Sequence, residues 1–172
     1  MKGAAAIGGI EYTLAVDPGA RACGFAVFYG KTLVKCGLVR TRAKTTAGQA
    51  MDFETLFHRH IQKHPTLIIE RPEVYNQRNQ KGDPNDLIGL GLIGGVVAGA
   101  VQPKALVLTL PKEWKGQTPK DIHHARIEAK LSPDEEARVS CAVAYGAPDT
   151  VPASLLHNVY DSIGIGLWYL KR

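Results

Sequence analysis

The chain has 172 residues, 45% hydrophobic and 22% charged, long enough for one domain with a sizeable core. With 21 Lys+Arg against 16 Asp+Glu the net charge is +5, a modest excess that suits a polyanionic partner only if a site accompanies it. No apolar run is long enough to span a bilayer, residues 1–10 do not read as a signal peptide, and three cysteines without close pairing argue against a disulfide framework. We therefore expect a cytoplasmic protein without a membrane partner, with Cys23, Cys36 and Cys141 as small buried apolar residues.

Residues 1–10 are Gly/Ala-rich and read as a flexible tail, leaving 11–172 as a single domain. Residues 12–16 alternate as a strand that must turn at Asp17-Pro18-Gly19. Residues 23–29 and 32–39 give two further strands around Gly30-Lys31, and the three form an antiparallel meander. A helix follows, ending near Lys63, with Phe53, Leu56, Phe57 and Ile61 on one face. Leu67-Ile68-Ile69 is a wholly apolar run suited to a central strand and ends at Glu70. After a polar loop over 71–83, a glycine-rich helix runs from about Asp86 to Val101, then a buried strand over 106–110. Pro119-Lys120 opens the next helix. Ser132-Pro133 followed by three acids caps another, and the last helix spans roughly 154–170. Leaving aside the short basic helix at Pro119, the order β-β-β-α-β-α-β-α-α predicts an α/β protein with a mixed five-stranded sheet flanked by helices.

Asp17 and Glu70 end two strands, and functional groups of α/β sheets gather at those carboxyl ends. Asp161 lies on the last helix, where Gly164 and Gly166 permit close packing on the sheet. Three acids from distant parts of the chain suit hard cations, which take oxygen ligands and activate water on a phosphodiester. The bland reading, acids that cap turns or pair with arginine, is strongest for Asp17 alone, since Asp-Pro-Gly is ordinary turn chemistry. Lys112, Lys115 and Lys120 follow the fifth strand and would engage phosphates beside such a site; a solvated surface loop is the competing reading. Arg71, Arg78 and Lys81 share the loop after Glu70 with Tyr75, an aromatic able to stack on an unpaired base or to serve in packing. His58, His60 and His64 fall on different faces of one helix and make no zinc motif, and His123-His124 reads as surface polarity.

These motifs resemble the RuvC family of Holliday junction resolvases, within the ribonuclease-H-like nucleases, particularly the phage-type members. The residues that carry the resemblance are Leu14-Ala15-Val16-Asp17-Pro18-Gly19 with Cys23-Gly24-Phe25-Ala26-Val27, then Leu67-Ile68-Ile69-Glu70-Arg71-Pro72. The glycine-rich helix over 87–101 and Asn158-Val159-Tyr160-Asp161-Ser162-Ile163-Gly164-Ile165-Gly166 complete it. The resemblance implies a ribonuclease-H-like fold and a homodimer that makes paired nicks in four-way DNA junctions, with forks and flaps as further branched substrates. It implies Mg²⁺, with Mn²⁺ also active, held by Asp17, Glu70 and Asp161. Where most members carry a fourth acid or a histidine, this chain has Asn158, a candidate ligand through its amide oxygen. His157 beside it is a candidate ligand or proton shuttle, or a solvent-facing polar residue. The family's lysines match Lys115 and Lys120, and its junction-wedging aromatic matches Tyr75. A phage-type protein would work in the cytoplasm of a bacterial host. Competing expectations are an RNA- or flap-directed nuclease of the same fold, a non-catalytic branched-DNA-binding module, and, last, an actin-like or sugar-kinase ATP site, which normally needs a far longer chain.

Overall fold

The computed structural model describes residues 11–74 and 83–172; the predicted tail, and Tyr75, Arg78 and Lys81, lie outside the described residues. Strands β1 (Tyr12–Asp17), β2 (Ala22–Tyr29) and β3 (Thr32–Arg40) form the expected antiparallel meander. Helix α1 (Thr46–His60) leads to β4 (Thr66–Glu70), and α2 (Pro84–Val101) to β5 (Ala105–Thr109). Then come α3 (Pro111–Trp114), α4 (Lys120–Glu128), α5 (Pro133–Ser140), β6 (Val143–Gly146) and, after one 3₁₀ turn, α6 (Leu156–Tyr169).

The sheet has six strands, not five, in the order β5-β4-β1-β2-β3-β6. The missed strand, β6, is four residues long and pairs parallel with β3, Gly37 facing Val143 and Arg40 facing Gly146. So short a segment carries almost no periodic signal of its own, and it exists because β3 offers an open edge. A Cβ on Gly37 would sit 1.9 Å from the Val143 carbonyl oxygen, so glycine is what lets the two strands meet.

β1 and β4 pair in parallel, with Leu14 opposite Leu67 and Val16 opposite Ile69. Side chains alternate across the sheet, and each face has its own core. Leu14, Val16, Phe25, Leu67 and Ile69 pack under α1 and α2 with Phe53, Phe57, Ile93 and Val97. Ala26, Phe28, Leu33 and Leu38 pack under α4–α6 with Ile127, Val159 and Ile163. Local signals agree with these elements. Thr45 caps α1 through the Gly48 N–H, Asp83 caps α2 ahead of Pro84, and Ser132 and Glu135 form a reciprocal capping box on α5.

Three expectations need correction. Helix α1 stops at His60, so His64 is off the helix, in a left-handed conformation (φ 63°) with its Nδ1 2.9 Å from the Gln102 carbonyl oxygen. β5 is an edge strand with Leu106 and Leu108 exposed, because α2 covers β4 and β1 but not the outer side of β5. Cys141 is exposed, while Cys23 and Cys36 are buried as expected. On α2, Gly94 approaches the Ile69 side chain (3.6 Å from an added Cβ) and Gly89 approaches Thr46, while Gly91, Gly95 and Gly99 have no neighbour within 4 Å among the described residues. Among the described residues, no helix is long and apolar enough to cross a membrane.

Candidate active site

The alternation that buries Val16 and Ile69 under α2 turns the next residue of each strand, Asp17 and Glu70, towards α6. Because Val16 pairs with Ile69, the two acids emerge side by side at the carboxyl edge of neighbouring parallel strands. Helix α6 brings the third. A Cβ on Gly24 of β2 would lie 2.0 Å from the Asn158 carbonyl oxygen, and one on Gly166 would lie 2.2 Å from the Phe28 ring. Those two glycines allow α6 to lie close on β2. Asp161, 7% exposed, is thereby lowered beside Asp17.

The electrostatics record this convergence. Burial, then the charges of Asp161 and Glu70, push the Asp17 carboxyl well above the usual carboxylate range, against an opposing pull from Lys115 and Lys120. Glu70 is raised too, by burial first, with Lys115 and the Trp114 hydrogen bond acting in the other direction. The Trp114 indole donates to Glu70 Oε2 at 2.6 Å, and the Lys115 ammonium lies 3.9 Å from the same oxygen, over the Trp114 ring. Lys120 Nζ is 3.7 Å from Asp161 Oδ2, and His124 Nε2 is 3.4 Å from Asp161 Oδ1.

Sequence reasoning brought the three acids, Lys115 and Lys120 to one place, and the structure does the same. His157 lies near Lys120, Asp161 and His124; burial, then the Lys120 charge, lowers its pKa. Asn158 is half-buried and lines a cavity on the β2–β3 side of the acids. Lys112 points elsewhere, into a 2.8 Å ion pair with Glu73, and Arg71 is exposed just beyond Glu70.

Two contacts were missed. The first is Trp114 to Glu70, for which the signal was that a buried indole N–H generally requires an acceptor. His124 is not surface polarity: it stacks on Tyr160 and faces Asp161, one turn along α4 from Lys120. His123 is half-buried edge-on against Trp114, with its Nε2 unpartnered among the described residues. The i, i+4 relation of Lys120 and His124 was the available signal.

Among the described residues, no three His, Cys, Asp or Glu side chains form a group able to hold a metal ion by themselves. A closed zinc-type cage is therefore not what this edge offers. The donor set fits Mg²⁺, which keeps several waters and is commonly held by one or two carboxylates together with substrate phosphates. Burial first, and then the neighbouring carboxylate charge, disfavour ionised Asp17 and Glu70, and a cation placed there would offset both.

No protein-family model and no curated protein matches the chain in sequence. Solved structures do match in shape. Thermus thermophilus RuvC aligns over 91% of this chain and 92% of its own, at 13% identity and a TM-score of 0.59. The fold is RuvC-like. The structure of T. thermophilus RuvC in complex with a Holliday junction substrate aligns over 92% of both chains, at 15% identity and the same TM-score. The mixed sheet with flanking helices is thus the ribonuclease-H-like architecture expected from the motifs.

Proposed function

We propose that this chain is a metal-dependent, structure-selective DNA endonuclease that resolves four-way junctions by paired phosphodiester hydrolysis. The observation that carries the reading is the meeting of Asp17, Glu70 and Asp161 at the carboxyl edge of a RuvC-like sheet, with Lys115 and Lys120 drawn against them. Asp17, Glu70 and Asp161, completed by substrate phosphate oxygens and water, would hold Mg²⁺ or Mn²⁺, with the Asn158 amide oxygen as a further donor. When bound there, the cation supplies activation of a water and stabilisation of the leaving 3′-oxygen.

The remaining chemistry belongs to the chain's own groups. Lys115 and Lys120 are positioned to exchange their carboxylate partners for phosphate oxygens and so to seat the strand across the acids. Trp114 holds Glu70 in place through its indole N–H. His157, in the field of Asp161 and Lys120, is the candidate to relay a proton. Paired nicking requires two sites, and we assign the second to a homodimer. The exposed side chains of Ile88, Leu92, Leu106 and Leu108 on α2 and β5 support that assembly. A phage-type resolvase acting in a bacterial cytoplasm belongs to the same proposal.

The test compares labelled four-way junctions, forks, flaps, RNA hybrids and linear duplex, with Mg²⁺, Mn²⁺ or chelator. Wild type is expected to cut junctions in pairs only with a cation, and Asp17→Asn to lose at least about a hundredfold in rate. Undiminished cleavage by the variant would remove the site assignment. Preference for flaps or RNA would move the substrate class, and tight junction binding without cleavage would favour the non-catalytic module.

A further inference from the structure

The β1–β2 and β3–α1 connections carry charges that the site above does not use. Arg21, Arg40, Arg42 and Lys44 line a single cavity of about 630 Å³, with Gly19 and Asn158 also in its wall. No carboxylate lines it. Arg21, Arg42 and Lys44 are exposed, and among the described residues none of the three has an ion-pair partner.

The scaffold beneath these cations is tied down. The Arg21 carbonyl accepts from the Thr41 N–H at 3.1 Å, joining the two connections. The Thr41 hydroxyl donates to Asp52 and accepts from the Ala43 N–H at 2.9 Å, and Gln49 Nε2 donates to the Ala43 carbonyl at 3.3 Å. Arg40 is anchored by a 2.7 Å hydrogen bond to the Thr150 carbonyl. Fixed backbone therefore holds several uncompensated positive charges around one concavity, an arrangement that attracts a polyanion.

Position distinguishes this cluster from an ordinary solvated face. Along the carboxyl edge of the sheet the order is Glu70 on β4, Asp17 on β1, Arg21 before β2, then the residues that follow β3. Lys115 and Lys120 reach the acids from α3 and α4, so the acids lie between two basic arms. β1 and β3 are two strand spacings apart, about 10 Å, a reach of about three nucleotides at ~3.4 Å each.

We propose that this groove is a second phosphate track, which receives the nucleic-acid strand as it leaves the carboxylates on the side away from Lys115 and Lys120. Arg21, Arg42 and Lys44 each hold a backbone phosphate, without reading base sequence. The proposal rests on the nuclease reading given above.

Binding of a fluorescent four-way junction, measured in chelator between about 50 and 200 mM salt, tests it. Arg21→Ala/Arg42→Ala/Lys44→Ala is compared with Lys31→Ala/Lys63→Ala/Lys104→Ala, which removes the same charge from the opposite edge of the sheet. The groove variant is expected to lower the slope of log affinity against log salt by about 2–3, since each lost phosphate contact removes about 0.7–0.9. The opposite-edge variant is expected to keep the wild-type slope. An unchanged slope in the groove variant, or equal loss in both variants, would overturn the groove and leave the nuclease reading intact. A wild-type chain that bound no junction would overturn both.

Discussion

Trp114 and Glu70 make the shortest contact described between any group and the acids, 2.6 Å from indole nitrogen to carboxylate oxygen. Trp114→Phe keeps the ring's packing against Ala15, Ile68 and Ile165 but removes the donor. A hydrogen bond to a charged group contributes about 1.5–3 kcal/mol. The substitution should therefore lower the thermal midpoint by several degrees and slow junction cleavage per folded molecule about tenfold or more; unchanged cleavage per folded molecule would show that Glu70 needs no such support. A second carboxylate shows what full satisfaction looks like. Glu135 accepts from the Leu33 and Ser132 N–H groups at 2.8 and 2.9 Å and takes a bidentate guanidinium from Arg172 at 2.6 and 2.8 Å. The Arg172 hydrogen bonds, first among these causes, depress its pKa from 4.5 to about 2. A depressed carboxylate stabilises the folded chain fully above its unfolded pKa and loses that contribution as pH falls through the folded value. Wild type should accordingly be more stable than Glu135→Gln by up to roughly 3 kcal/mol at pH 6, with the gap narrowing between pH 4.5 and about 2. Denaturant midpoints at pH 6 and pH 3 measure it, and a gap independent of pH would contradict it.

Two glycines of the sheet separate stability from site assembly at the level of elements. Gly24 lets α6 approach β2, and Gly37 lets β6 pair with β3; an added Cβ would meet a backbone carbonyl oxygen at 2.0 and 1.9 Å respectively. Alanine at either position forces a shift, at about 1–3 kcal/mol. Gly24→Ala should also displace the helix that carries Asp161 and depress cleavage per folded molecule. Gly37→Ala should lower the melting temperature comparably and leave that specific activity near wild type. Equal activities for the two variants would separate α6 placement from the chemistry. The contrast also explains what could be read beforehand. β1 and β4 end in acids after apolar runs, so strand, register and site all show in a few residues. β6 has four residues and depends on a partner over a hundred positions away, so no local pattern announces it. The Arg21–Lys44 groove was hidden for the same reason, since its wall is gathered from elements distant in sequence.

At the scale of the whole molecule the unfinished surface lies on β5 and α2. Leu106 and Leu108 are 49% and 54% exposed on an edge strand, beside a hollow of about 260 Å³ walled by Gly91, Gly94 and Gly95. Edge strands of monomers are generally blunted by charge or cover, and among the described residues nothing covers Leu106 and Leu108. Leu106→Lys/Leu108→Lys should convert a dimer into a folded monomer in light scattering, and paired nicks into single ones. A wild-type chain that is monomeric at micromolar concentration would refute the dimer. The placement of the third acid has a consequence in time. Asp17 and Glu70 belong to strands made early, whereas Asp161 rides on α6, packed back across β1 and β2 from near the other extreme of the numbering. Chains emerge N-terminus first, at about 5–20 residues per second. For several seconds, then, a growing chain holds two of the acids but lacks both the third acid and the Asn158 wall of the groove. Site and groove are therefore completed by the same late event, the docking of α6.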